Sequence, residues 1–248
     1  MRRIALVTDF GTRDPYVAAV KGVIAARTNA PLPDLSHDIE PFDVFQVAWF
    51  LRAILRFWTA DTIFRIVVDP GVGTSRRILA LESDGRIFLA PDNGALTFLE
   101  GRVYSVENES LFLPGGSTTF HGRDRFAPVA AALANGLSIN ELGRRISDPV
   151  RLEYTPPCYS AGRVTGTIVA IDRFGNAITD IEAARLPFST FEVRAGQTKI
   201  TRRSNTYSGS EPFTIVGSTG CIEISKAGEG AATLLHLRRG DPLVIVPA

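Results

Sequence analysis

The sequence predicts an α/β protein in two parts: an N-terminal, mainly parallel sheet sandwiched by helices, and a smaller C-terminal domain that is all-β and barrel-like. Three observations predict it. Up to about residue 150, short β-branched or aliphatic runs alternate with stretches of helical apolar spacing, the pattern of strands joined by crossover helices. The stretch RLEYTPPCYSAG, with two prolines and a glycine, then breaks the alternation. Beyond it come short strand-like pieces separated by Gly, Ser and Asn. The expected division is an N-terminal domain over 1–152, a linker over 153–161 and a C-terminal domain over 162–248.

Ile4–Thr8 reads as a strand ending in the turn Asp9-Phe10-Gly11. Asp14 before Pro15 reads as the N-cap and first-turn proline of a helix whose apolar positions are Val17, Val20, Val23 and Ile24. A second helix, from about Asp43 to Trp58, buries Val44, Val47, Leu51, Ile54 and Trp58 along one stripe. Ile63–Val68 is an apolar strand delivering Asp69, and Ile78–Glu82 and Arg86–Ala90 are further strands. Phe126–Asn135 and Ser138–Ile146 read as helices, the latter with Ser138 and Glu141 in capping-box spacing. In the second domain, strands are expected at Arg163–Asp172, Ala177–Ile181, Phe191–Ala195, Pro212–Val216, Cys221–Ser225 and Leu243–Val246.

Composition narrows the function. The 248 residues carry 27 basic and 26 acidic side chains, a net charge of +1 spread along the chain. No basic stripe exists for a phosphate backbone, so nucleic acid is not an expected partner. The apolar run in MRRIALVTDF is too short for a signal sequence. The densest apolar stretch, Val44 to Trp58, is interrupted by Gln46, Arg52 and Arg56 and falls short of the ~18 residues of a membrane span. Cys158 and Cys221 lack metal or disulfide spacing and read as reduced thiols of a cytoplasmic protein, with no metal expected.

Ligands of open α/β sheets gather outside the carboxyl ends of strands, where Asp9 and Asp69 are delivered. The segment GVGTSR lacks the third glycine of a dinucleotide fingerprint and the GK[ST] of a phosphate loop. Its glycines instead allow a close backbone approach and return Arg76 and Arg77 toward the site. Taken singly, either arginine reads equally as a solvated or surface-paired residue, and PDNG at 91–94 as a plain turn. His121, beside Gly122 at a loop-to-helix junction, is a candidate acid or base, whereas His37 and His236 read as structural. In IDRFGN, Asp172, Phe174 and Asn176 surround a glycine turn that serves as a hairpin or as a cation pocket.

Together, TDFGTRDPYV, VVDPGVGTSRR, PDNG and FHGRDRFAP resemble the S-adenosylmethionine hydroxide adenosyltransferase family, the water-using relatives of fluorinase and chlorinase. IDRFGN and GSTGCIEIS carry the resemblance into the second domain, so that it covers nearly the whole chain. It implies a homotrimer that binds S-adenosyl-L-methionine at subunit interfaces, needs no cofactor, and uses hydroxide to displace methionine from the ribose 5′ carbon. By motif position, Asp69, Arg76 and His121 would be catalytic, with Arg76 stabilising the developing hydroxide while Asp69 and His121 orient the water and take its proton. Asp9, with Phe10 beside it, would hold the ribose end. Asp172, Phe174, Asn176 and Ser218 would hold the methionine end. Thr219 departs from relatives that carry a larger side chain there, and the interval from Asn93 to His121 is short for the extra loop of the halide enzymes. Two other readings compete. Asp9, Asp69, Asp92, Asn93 and His121 superficially match the ligand set of a metal-dependent phosphoesterase, and a non-catalytic adenosine or S-adenosylmethionine binding protein would need the same pocket.

Overall fold

A computed structural model describes residues 2–248, which form two compact units divided between Glu153 and Tyr154. The first contains β1 (Arg3–Thr8), α1 (Tyr16–Ala25), β2 (Asp34–Ser36), α2 (Val44–Ile54), β3 (Thr62–Val67), β4 (Ile78–Ser83), β5 (Arg86–Pro91), β6 (Arg102–Ser105), α3 (Ala127–Ala134) and β7 (Arg145–Ile146). Its sheet runs β2-β1-β3-β5-β4-β6-β7.

The sheet is mixed rather than mainly parallel. β2, β1, β3 and β5 are parallel neighbours, but β4, β6 and β7 pair antiparallel. The reason is local: Asp84 and Gly85, both at positive φ, form the two-residue turn between β4 and β5. Such a turn matches the strand twist and forces a hairpin into a sheet that was expected to be mainly parallel.

Alternate residues of the central strands face opposite cores, as the pleat requires. Ile4, Leu6, Ile63, Ile87 and Leu89 pack with Val20 and Ile24 of α1 and Val129 and Leu133 of α3. Ala5, Val7, Phe64, Ile66 and Phe88 pack with Val47 and Leu51 of α2. Asp43 caps α2 by accepting from Gln46 N–H at 2.8 Å, while Pro15 rather than Asp14 precedes α1 and no side chain caps it. α2 gives way to a tight turn at Leu55–Phe57, short of the expected end at Trp58. Ser138 and Glu141 do form a capping box, but only the short turn Ile139–Glu141 follows. A Cβ on Gly143 would lie 2.3 Å from Ser105 O; this close approach turns the chain onto β6 as β7, where a longer helix was expected.

The second unit contains β8 (Cys158–Ser160), β9 (Arg163–Ile171), β10 (Ala177–Glu182), β11 (Phe191–Ala195), β12 (Thr198–Ile200), β13 (Phe213–Val216), β14 (Cys221–Ser225), the single-turn α4 (Ala231–Leu234) and β15 (Pro242–Pro247). All its strand pairs are antiparallel, in the order β12-β11-β15-β9-β10-β14-β13 with β8 added to β9. β9 pairs with β15 along its first half and with β10 along its second, so the sheet curls around Val164, Ile181, Val193, Ile224 and Ile245. A bridge between Arg203 and Thr214 joins the chain beyond β12 to β13, which makes the sheet nearly barrel-shaped. No helix among the described residues is long and apolar enough to cross a membrane.

Candidate active site

Asp9 and Asp69 follow the carboxyl ends of the adjacent parallel strands β1 and β3. The turn after Asp69 explains one glycine directly. Gly73 has φ +81°, and a Cβ there would stand 2.8 Å from Thr118 O. Only glycine lets this turn lie against the loop that carries His121. On its return, Arg76 donates from Nε to Asp69 Oδ1 at 2.8 Å and from Nη2 to Asp69 Oδ2. The same Nη2 lies 3.0 Å from His121 Nδ1. Three side chains separated by as many as 52 positions of sequence thus form one cluster, with 8% of the Arg76 side chain and 4% of the Asp69 side chain exposed.

The guanidinium has donors only, so His121 Nδ1 accepts and the neutral ring carries its proton on Nε2. Nε2 is buried and has no hydrogen-bond partner among the described residues. Burial, then the charges of Arg125 and Arg76, push the His121 pKa below that of an ordinary histidine. His121 enters on a π turn, Gly122–Phe126, ahead of α3. Pro128 is the local cause: lacking an N–H, it leaves Asp124 O to accept from Leu113 N–H at 2.8 Å, and the turn widens.

Asp69 and His121 line a cavity of about 580 Å³ together with Asp9, Phe10, Asp14, Tyr16, Phe42 and Phe120. Arg76 holds both Asp69 and His121, two of these cavity-lining side chains, through its guanidinium. Phe10, Tyr16 and Phe120 form a mutual edge-to-face set with centroids 5.3–5.9 Å apart. Phe42, 69% exposed and at φ +68°, adds an aromatic rim, and its N–H donates to Asp9 Oδ2 at 2.9 Å. The Asp9 pKa is raised, by burial first and by the charge of Asp69 last.

The other motif residues do different work. Arg77 pairs with Asp92 at 2.6 Å and Asp148 at 3.0 Å. Asp92 also accepts from Val150 N–H, and Asn93 binds Val68 O and Ala95 N–H. PDNG is therefore a structural brace, and the donor set of a metal-dependent phosphoesterase does not assemble. Among the described residues no three His, Cys, Asp or Glu side chains gather as metal ligands. His37 joins Thr8 Oγ1 at 2.7 Å and Asp34 Oδ1 at 3.0 Å, bracing β1 against β2.

In the second unit, Asp172 organises the turn between β9 and β10. It accepts from Phe174 N–H at 2.9 Å and from Asn176 N–H and Nδ2 at 2.8 Å each. Phe174 is exposed and Asn176 buried. Gly175 has φ +80°, and a Cβ there would stand 2.4 Å from Gly230 Cα. Ser218 lies in the turn Gly217–Gly220, where a Cβ on Gly217 would overlap Glu223 Oε1. Glu223 accepts from Tyr207 Oη at 2.9 Å, and burial, then the charge of Asp172, raises its pKa.

Sequence reasoning missed several of these residues. Glu223 breaks the apolar alternation of CIEIS, and Arg65 breaks TIFRIVV; both signals were available. Tyr16, Phe42 and Phe120 gave none, because aromatic residues near a turn look alike whether they rim a cavity or a core.

The model of the SAM hydroxide adenosyltransferase N-terminal domain matches residues 4–143, and that of the C-terminal domain residues 166–244. The chain is 36% identical to a Thermus thermophilus protein named (R)-S-adenosyl-L-methionine hydrolase, over 98% of this chain and 99% of that one. It is 30% identical to a Methanocaldococcus jannaschii protein of the same name, over 98% and 95%. A fluorinase from an Actinoplanes species is 30% identical over 74% of this chain and 72% of its own. A crystal structure of a conserved Thermotoga maritima protein superimposes with a TM-score of 0.91 at 33% identity, covering 98% of this chain and 99% of that one.

Proposed function

The chain belongs to the SAM hydroxide adenosyltransferase family, and from that premise we propose that it hydrolyses S-adenosyl-L-methionine to adenosine and L-methionine. Water attacks the ribose 5′ carbon in line with the departing sulfur. These relatives are named for the (R) form of the substrate, and the same form is the proposed substrate of this chain.

The observation that carries the reading is the contact of Asp69, Arg76 and His121 beside an aromatic cavity, with His121 Nε2 left without a hydrogen-bond partner among the described residues. Hydroxide at pH 7 lies roughly 12 kcal/mol above water, from a pKa of about 15.7 and 1.36 kcal/mol per unit. A general base contributes ~10²- to 10⁴-fold, so position and charge must supply the remainder. The neutral His121 donates Nε2–H to the water oxygen, and Asp69 accepts the water proton. Arg76 binds Asp69 and His121 Nδ1 at once, which fixes the histidine tautomer and compensates the buried carboxylate. The sulfonium assists, because hydroxide and sulfonium become a neutral alcohol and a neutral thioether. A dry pocket favours that loss of separated charge.

Asp9, with its pKa raised by burial, accepts from the ribose hydroxyls, and Phe10 packs beside it at the nucleoside end. Asp172, Phe174, Asn176 and Ser218 serve the amino-acid end, in a cytoplasmic homotrimer with sites at subunit interfaces and no cofactor. Incubation of the (R) and (S) epimers in ¹⁸O-water tests the chemistry. The label should enter the 5′ hydroxyl of adenosine, from the (R) epimer preferentially and in the presence of EDTA. Label-free adenosine, or no product beyond bound substrate, would reject hydrolysis, the latter in favour of a binding protein.

A further inference from the structure

Arg65 stands on β3 between Ile63 and Val67 on the same face, where both neighbours are core residues. It is 0% exposed, no carboxylate pairs with it among the described residues, and burial pushes its pKa down to about 9. Among the described residues its side chain makes one hydrogen bond, from Nη2 to Gly122 O, and Nε and Nη1 find no partner. An unpaired buried guanidinium is expensive, and an apolar side chain of similar volume is often the more stable choice. The position of its single bond is therefore informative.

Gly122 O also accepts from Ala127 N–H, the bond that closes the π turn. Arg65 thus grips the carbonyl immediately after His121, from a strand that delivers Asp69 four residues later. If the turn tightened to an ordinary α-helical one, removal of its extra residue would rotate the preceding side chains by about 100° around the helix axis. We propose that Arg65 is a positioning residue that locks the π turn to β3 and so sets His121 against Asp69 and Arg76. The proposal rests on the hydrolase reading for its effect on turnover, but not for its effect on His121 itself.

The test compares Arg65→Met, Arg65→Lys and Arg65→Gln with the wild type. Arg65→Met removes the buried charge at similar volume, so thermal stability should hold or rise while kcat falls roughly tenfold to a hundredfold, with KM within about twofold of wild type. Arg65→Lys, which keeps a cationic donor at nearly the same reach, should recover part of kcat, whereas the amide donor of Arg65→Gln sits on a shorter side chain and falls short of Gly122 O. Wild-type turnover in Arg65→Met, or stability and kcat falling together in all three variants, overturns the proposal. If Arg65→Met does not fold, the ordering of Lys above Gln in kcat at equal stability decides, and equal turnover of the two overturns it. Imidazole ¹⁵N spectra, assigned with His121→Asn, supply a readout independent of the reaction. His121 signals should move in a folded Arg65 variant while those of His37 and His236 stay, and an unmoved His121 sinks the tie. A wild type that forms no adenosine would instead sink the hydrolase reading and leave this spectral test intact.

Discussion

Arg76 is the residue on which the site's electrostatics turn, because one guanidinium serves both a buried carboxylate and a histidine nitrogen. Arg76→Ala should lower kcat by roughly 10²- to 10³-fold, the cost of one preorganised charged donor, and leave substrate binding measurable by calorimetry. Arg76→Lys should rescue little, since a point charge cannot reproduce the bidentate fork. Full activity in either variant would remove Arg76 from the mechanism. The histidine makes a second prediction. Protonating His121 at Nδ1 would set an N–H against the Arg76 N–H, and burial already holds its pKa below the ordinary value. Turnover should stay level through neutral pH and fall only below about 6.5, the ordinary histidine value. Because the folded pKa is the lower one, the associated stability is fully present above the unfolded value and is lost as pH falls through the folded one. His121→Asn should abolish that limb in kcat/KM, and a limb unchanged in the variant would assign it elsewhere, Asp9 being the next group whose raised pKa lies on the acid side.

Among the elements, the turn from Asp69 to Arg76 shows how much glycine placement decides. Gly73→Ala combines a left-handed φ with a 2.8 Å approach to Thr118 O, a strain of roughly 1–3 kcal/mol. At roughly 2–4 °C per kcal/mol for a chain of this size, Tm should fall by several degrees, and kcat should fall with it because the His121 loop is displaced. Gly71→Ala, whose nearest neighbour would be Arg76 Cγ at an ordinary 3.5 Å, should be milder in both; equal effects at the two positions would refute this account. The same stretch shows what a sequence makes legible. Asp9 and Asp69 were readable because apolar strands end at them, and β11 and β14 because β-branched and aromatic runs are bounded by turn residues. The β4–β5 hairpin was equally present in Asp84-Gly85, but alternation with helices elsewhere suggested a mainly parallel sheet. The helix expected after Ser138 failed because its cap is local, whereas Gly143 answers to Ser105 on another strand. The π turn was hidden for a similar reason. It depends on what Pro128 cannot donate and on a carbonyl held by Arg65 from 57 positions away.

At the scale of the whole molecule, the two units divide the proposed labour, and their kinetic signatures should differ accordingly. The first holds the groups that act on the attacking water, so Asp69→Asn should lower kcat. The second holds the Asp172 turn, so Asp172→Ala should chiefly raise KM, the signature of lost uniform binding. The proposed trimer with interfacial sites adds a test that neither variant offers alone. If each site draws the water-activating groups from one subunit and the Asp172 turn from its neighbour, every homotrimer of either variant is defective at all three sites. A trimer mixed from both variants contains some sites built only from intact halves, roughly a quarter of them after random exchange of equal amounts in a ring with head-to-tail contacts. Refolding the two variants together should therefore restore activity at low substrate, relative to the same proteins refolded apart and then combined. Light scattering should place both preparations at three times the chain mass of 26.9 kDa. Recovery absent from a trimeric mixture would put each site within a single subunit. A monomeric protein that is nonetheless active would remove the interface proposal while leaving the contact of Asp69, Arg76 and His121 untouched, since those three residues belong to one compact unit of one chain.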